Sequence, residues 1–384
     1  MLTRSAARYL ISDAGRERAL EVAADPRRSD QVLRSLRDEL PADLAAALID
    51  QMRGRASLAR RHPRASELFT TTRAAAQATS AVVAAWRARR FAGVASVADL
   101  GCGLGADSMA LAREAPTIAV DRDPALLILT RANLAQVDRP SLCLRADLPQ
   151  TMPLVDWIFA DPDRRSGSGR ETDPELASPP LSALLAAAGA AQGIGVKLSP
   201  MIEVSRIEAW GELEFVSVRR ELREIVLWTR GLASGARRVS LPELGYSFES
   251  VSAVAPAPRA PGAILFDPDP ALIRSGLLGR VAVDTGLAPL DATVAYLSGP
   301  PIAPHPLLRP FELLAICGPS ARQVQIEVNR LGLGLLSASR RGFAVAPDAF
   351  LKRLRPGGGE PGHLFLTRIQ GRPTILVTRA VSLG

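Results

Sequence analysis

Two short stretches concentrate the residue types that do chemistry. The first, "VADLGCGLGADS" (residues 97–108), sets Gly101, Gly103 and Gly105 between an apolar run and a helix-forming segment. Glycines there let the backbone turn tightly and let a ligand approach the main chain, and the start of the helix offers unpaired N–H groups. Twenty residues past Gly101, Asp121 ends "TIAV", the position from which an acid hydrogen-bonds a ribose diol. The second stretch, "IFADPDRR" (residues 158–165), reads as a buried strand halted by Asp161 and Pro162 and followed by Asp163, Arg164 and Arg165. With Asp147 in "LRADLP", placed to reach an adenine amino group, the acids Asp99, Asp121, Asp147 and Asp161 are expected at four successive strand ends. They would line one crevice on the carboxyl edge of a wound sheet, where ligands of open α/β folds bind.

Two cofactor classes suit such a loop. Gly101-x-Gly103-x-x-Ala106 is a permissible dinucleotide fingerprint. Asp99 argues against it, because an acid two residues before the first glycine would face a pyrophosphate with like charge. Opposite the sulfonium or ammonium of S-adenosyl-L-methionine the same acid is favourable, and that cofactor is the expectation. Lys197, in "VKLSP", ends another strand near the same edge; a cation beside a sulfonium is awkward, so its expected role faces the substrate or Asp161.

Positioning these groups requires alternating strands and helices. From residue 94 onward "VASVADL", "APTIAV", "LCLRA", "VDWIFA", "GIGVKL", "FVSV" and "EIVLWT" alternate with helical segments, the pattern of a doubly wound, mostly parallel Rossmann-like sheet. "FVSVRRELREIVLW" reads as a short antiparallel connection at an edge. Before the sheet, "SDQVLRSLRDELPADLAAALIDQMR" repeats apolar residues at three- and four-residue steps, with Ser29 or Asp30 as the first cap and Pro41 starting the next helix. After it comes the proline-rich "APAPRAPG". Asp269-Pro270 then reads as a helix N-cap followed by proline, and the tail from Gly342 as strand, helix, glycine turn, strand, strand. The expected organisation is a helical region over 1–92, a catalytic α/β domain over 93–250, and a linker with a small α/β domain over 251–384, its core at about 310–384.

Three scattered cysteines and three scattered histidines among 384 residues leave no spacing for a zinc site or a disulfide framework, so no metal is expected. No apolar run suits a signal peptide or a membrane span, and a soluble cytoplasmic protein is the reading. The net charge of +8 invites a polyanion. Only Lys197 and Lys352 among the 47 basic residues are lysines. The surplus lies on the flanks: residues 1–90 carry +7 and 240–384 carry +4, against −3 for 91–239. That layout suits flanks that hold a nucleic acid around a centre that does chemistry. "RGRASLARRHPR", with five arginines from Arg53 to Arg64, is either such a contact or a solvated helix face.

"VADLGCGLGADS", "AVDRDP", "RADLP" and "FADPDRR" resemble the motifs of class I S-adenosylmethionine-dependent methyltransferases. More narrowly, with "LFTTTRAAAQATSAVVAAWRARRF", "SPPLS", "VKLSP", "FVSVRRELREIVLW" and "FDPDPALIRSGLL", the chain is similar to a bacterial group with a C-terminal THUMP-like domain. The resemblance implies methylation of RNA, tRNA or rRNA. It implies that Asp99, Gly101, Gly103 and Gly105 hold the methionine part of the cofactor, Asp121 the ribose and Asp147 the adenine. Cys102, Asp107, Arg122 and Ala146 flank those positions, and Gln77 and Thr79 fall in the preceding family segment; all six join the expected cofactor set. Asp161, Pro162, Arg164 and Lys197 form the expected catalytic set. Asp161 would orient the methyl acceptor, while Arg164 or Arg165 would grip a phosphate, stack on a base, or merely pair with Asp163, Asp173 or Glu175. In amine methyltransferases acting on bases, the motif at Asp161-Pro162 continues with proline and an aromatic ring. This chain has Asp163 and Arg164 there, which weakens the case for an exocyclic amine. In the tail, Arg340, Arg341, Lys352, Arg353 and Arg355 are expected to track a phosphate backbone. A methyltransferase for a small molecule or protein, and a non-catalytic RNA-binding protein that keeps the fold, stay open beside this reading.

Overall fold

The computed structural model describes residues 2–163, 173–235 and 237–381. The chain forms two compact units, Met1–Leu213 with Glu224–Gly235, and Glu214–Arg223 with Ala236–Gly384.

The first unit opens with helices α1 (Arg4–Ile11), α2 (Asp13–Ala24), α3 (Ser29–Glu39), α4 (Ala42–Leu58), α5 (Thr72–Gln77) and α6 (Ala81–Ala88). Ser29 lies inside α3 rather than capping it. The cap is Arg28, whose backbone N–H is taken by the Gln31 side chain. Then come β1 (Val97–Leu100), α7 (Ala106–Glu114), β2 (Thr117–Asp121), α8 (Pro124–Leu134), β3 (Ser141–Arg145), β4 (Trp157–Ala160), α9 (Leu181–Ala187), β5 (Gly193–Leu198), β6 (Glu212–Val218) and β7 (Glu221–Trp228). Strands β1 to β5 pair in parallel, and Ile225–Trp228 of β7 run antiparallel to β5, in the order β3-β2-β1-β4-β5-β7. The order reverses between β1 and β4, the switch point where the carboxyl ends of strands leave a crevice. The residues of β6 and β7 are divided between the units.

The N-terminal helices bury Leu10, Val22, Leu36, Leu48 and Ile49 in one cluster with Phe69 and with Ala125 and Leu129 of α8. Each fully buried leucine contributes about 1.5–3 kcal/mol, so these helices share a core with the sheet's own α8. The arginine run is partly absorbed by the same packing. Arg55 donates to the Leu68 carbonyl, Arg61 to the carbonyls of Ala75 and Ala78, and Arg64 pairs with Glu67. Arg53 and Arg60 are exposed.

In the second unit, β8 (Arg237–Leu241) pairs parallel with β6 and antiparallel with β9 (Tyr246–Ser250), so the β6–β7 ribbon is not an edge. Residues 251–262 form neither helix nor strand. They lead to β10 (Ile264–Pro268), α10 (Pro270–Ser275), α11 (Leu278–Thr285), β11 (Ala288–Asp291), β12 (Val294–Gly299), β13 (Leu308–Cys317), α12 (Ala321–Arg330), β14 (Leu333–Arg340), α13 (Pro347–Leu351), β15 (Glu360–Ile369) and β16 (Arg372–Ala380). These strands make a seven-stranded sheet, β11-β12-β10-β13-β16-β15-β14, in which β14 and β15 run parallel. The strand expected at "GFAVA" does not form; the pairing strand lies upstream at β14, and residues 341–346 turn towards α13. Val324 and Val328 of α12 and Phe350 of α13 pack on Leu364, Leu366, Ile375 and Val377.

Asp269 caps α10 as its sequence implies. Its Oδ1 accepts from the Ala271 N–H at 2.8 Å, and its Oδ2 accepts from the Ser217 hydroxyl at 3.1 Å. Asp269→Ala is expected to cost about 1–2 kcal/mol, read as a lower midpoint in urea denaturation. Among the described residues no helix is long and apolar enough to cross a membrane.

Candidate active site

The glycine loop joins β1 to α7 at the switch point. Gly101, Gly103 and Gly105 all have left-handed φ, at +81°, +56° and +84°. A side chain at Gly105 would meet Thr130 Cγ2 at 2.8 Å, and one at Gly101 the Asp161 carbonyl at 3.0 Å, whereas Gly103 faces open space. Helix α8 holds the loop from behind. The Thr130 hydroxyl donates to the Gly103 carbonyl at 2.6 Å, and the Asn133 amide donates to the carbonyls of Leu104 and Phe69 at 2.9 and 3.0 Å.

Asp121 closes the loop from the neighbouring strand. Its carboxylate accepts from the N–H of Gly103 at 3.0 Å and of Asp123 at 2.8 Å. Burial nevertheless raises its pKa, the two N–H donors only partly offsetting it.

Below the rim lies a buried network of charges. Asp161, following β4, has a side chain 22% exposed, and its Oδ2 accepts from Lys197 Nζ. Lys197 is almost fully buried and donates also to Thr79 Oγ1 at 3.2 Å. Thr79 passes its own hydroxyl hydrogen to Asp107 Oδ2 at 2.8 Å, and its backbone carbonyl takes the His62 Nε2–H at 2.6 Å. Arg87 of α6, wholly buried, donates to Asp107 and to Glu224 of β7, and lies over the Phe159 ring at 4.3 Å. Burial opposes ionisation of Asp107, but the charges of Arg87 and Lys197 outweigh it and hold the carboxyl below its usual range. At Glu224 burial wins over Arg87 and raises the pKa.

Asp99 differs from the expectation of four acids along one rim. It lies one residue inside β1, paired there to Ala119 and Phe159, is 1% exposed, and accepts from the Ser108 hydroxyl. Burial first, and then the Asp107 charge, push its pKa up to about 8. The strand's last residue is Leu100, which moves the acid one step below the edge.

The structure thus brings Thr79, Asp107, Asp161 and Lys197 into one network, beside Gly101, Gly103 and Asp121. Ala146 and Pro162 are buried next to the rim residues Asp147 and Asp161. Cys102 belongs to the apolar cluster with Leu104 and Met109. Gln77, Arg122 and Asp147 are exposed and make no hydrogen bond to the network. Arg164 and Arg165 lie outside the described residues. Two of their proposed partners are otherwise engaged, Asp173 with Arg206 and Glu175 with Ser182. Arg87, Glu224 and His62 escaped sequence reasoning. A charge amid apolar strand residues, as in "EIVLW", is the signal that marks Glu224.

Residues 308–380 match the family model described as THUMP domain-like. The chain is 35% identical over 311 residues to an uncharacterized S-adenosylmethionine-dependent methyltransferase of Mycobacterium tuberculosis strain CDC 1551 / Oshkosh, covering 79% of this chain and 86% of the relative. The counterpart from strain H37Rv matches with the same identity and coverage. Among solved structures, a presumed methyltransferase from Porphyromonas gingivalis W83 superposes with a TM-score of 0.81 at 21% identity, over 95% of this chain and 99% of that one.

Proposed function

Because the chain belongs to the S-adenosylmethionine-dependent methyltransferases, we propose that the rim around Gly101, Gly103, Asp121 and Asp161 is its catalytic centre and that its substrate is RNA. The loop suits the cofactor: glycine backbone approaches Asp161, Gly103 is open, and carboxylates of the kind that favour a cation stand alongside. Gly101 and Gly103 would take the methionine part and Asp121 the ribose. When bound, the cofactor supplies an electrophilic methyl group. Asp161 and Lys197 would orient the acceptor, and the Thr79–Asp107–Arg87 network keeps Lys197 fixed, since positioning supplies much of the barrier reduction in such transfers.

The observation that carries the RNA reading is the THUMP-like match at 308–380, within which Lys352 and Arg353 are exposed cations. Arg340 and Arg355 are exposed too and donate to nearby backbone carbonyls. Arg341 is not available for a backbone contact: it binds Asp267 and the Ala295 carbonyl, each at 2.8 Å, and covers the Tyr296 ring. Few aromatic residues accompany these cations, which favours phosphate and shape recognition over stacking.

RNA affinity is expected to fall linearly on a log–log plot against salt. The double substitution Lys352→Gln/Arg353→Gln is expected to reduce that slope by about one to two. Filter binding across about 50–300 mM salt, which brackets physiological ionic strength, measures it. Salt-independent binding, with turnover on a small molecule or protein, would replace the RNA reading.

A further inference from the structure

We propose that the methyl acceptor is a hydroxyl oxygen, the ribose 2′-hydroxyl of RNA, held between Asp161 and Lys197. The inference rests on the RNA reading above and goes beyond it in naming the atom.

An ammonium has three hydrogens to donate. Among the described residues Lys197 Nζ spends two of them, on Asp161 Oδ2 and Thr79 Oγ1. Asp161 Oδ2 is occupied by that bond, while its Oδ1 has no partner among the described residues and the side chain reaches the rim. One N–H donor and one carboxylate acceptor therefore stand side by side on Lys197 and Asp161, the latter's backbone carbonyl lying against Gly101. A hydroxyl matches that pair, since it both donates and accepts. An exocyclic amine, which offers two N–H groups, meets a cation where it needs a second acceptor.

The developing charge points the same way. Methylating a neutral amine creates a positive nitrogen beside a buried ammonium, which a low-dielectric site penalises. Methylating a hydroxyl develops negative charge on oxygen as its proton departs, and a fixed cation stabilises that charge. The motif's aromatic position is Arg164 in this chain, so no aromatic ring follows Pro162 and Asp163 for a base to stack on. A ribose needs none, and the 2′-hydroxyl is the group by which RNA differs from DNA.

In the step itself the acceptor oxygen forms a bond to the methyl carbon as the carbon–sulfur bond breaks, and that electron pair stays on sulfur. The hydroxyl proton passes to Asp161 Oδ1, and Lys197 donates its third hydrogen to the acceptor oxygen. Thr79 cannot rotate away from Lys197, because its hydrogen is committed to Asp107 and Arg87 donates to its oxygen at 3.3 Å.

The test incubates the full chain with methyl-labelled cofactor and bulk cellular RNA, followed by alkaline hydrolysis and nucleoside mass spectrometry. Label is expected in alkali-stable dinucleotides, since a 2′-O-methyl group blocks cleavage of the adjoining phosphodiester. Label on a base overturns this inference and leaves the RNA reading standing. Label in no RNA overturns the RNA reading and this inference with it. Lys197→Met is expected to slow transfer by about 10²–10⁴-fold while calorimetric affinity for the cofactor changes little. Unimpaired transfer by that variant removes Lys197 from the acceptor side. If the variant fails to fold, the wild-type product analysis decides alone.

Discussion

Arg87→Met is expected to destabilise the protein by about 3–5 kcal/mol. The arginine is the only cation that bridges Asp107 and Glu224 among the described residues, and all three groups are buried. Methionine is chosen because it keeps much of the volume over the Phe159 ring. What it cannot do is offset two interior carboxylates, and an uncompensated buried charge costs more than the ion pair itself contributes. Urea denaturation at neutral pH measures the loss. The double variant Arg87→Met/Glu224→Gln is expected to recover part of it, because one of the two stranded carboxylates is then neutral. Equal stability of the single and double variants would show that Glu224 is already protonated without Arg87.

Asp99→Asn is expected to act in the opposite direction, stabilising the fold at alkaline pH. Asp99 has a folded pKa near 8, against an ordinary value of 3.8, because burial and Asp107 disfavour its charge. Between those two values the folded state binds a proton that the unfolded state releases. The wild type therefore loses stability as pH rises from about 4 to about 8, by up to about 1.4 kcal/mol per pH unit from this group. Below that window the contribution is fully present, and above it the loss is complete. Asparagine is neutral throughout and retains an oxygen for the Ser108 hydroxyl. The variant should match the wild type near pH 4 and exceed it by a few kcal/mol at pH 8.5, in urea midpoints taken across that range. Parallel curves for the two proteins would mean that Asp99 is ionised in the native state.

Sequence reasoning reached the sheet, the glycine loop and the acids because these signals are local. Strand β1, the glycines at left-handed φ and an acid one strand over all lie within about twenty-five residues of each other. The Asp269–Pro270 cap was legible for the same reason. Depth was not. Asp99 and Asp161 each lie next to a strand's end in the sequence, yet one is sealed inside β1 and the other reaches solvent, because a one-residue difference in where pairing stops sets which side of the edge a carboxylate takes. Nor was partnership legible: Arg87 and Glu224 are 137 residues apart. The same holds for the basic run, where Arg55 and Arg61 close on backbone carbonyls that only the packing of α4 against α5 brings within reach.

The single amide of Asn133 has a wider consequence. It grips Phe69 on both its backbone N–H and its carbonyl, and with the same nitrogen reaches Leu104. A segment made early in synthesis and a loop made some thirty-five residues later are thereby latched by a side chain that emerges only after both. Helix α8 thus ties the glycine loop to an early segment, and a chain shorn of its first seventy residues would keep α8's grip on the loop through Thr130 and Asn133 but lose its anchor at Phe69.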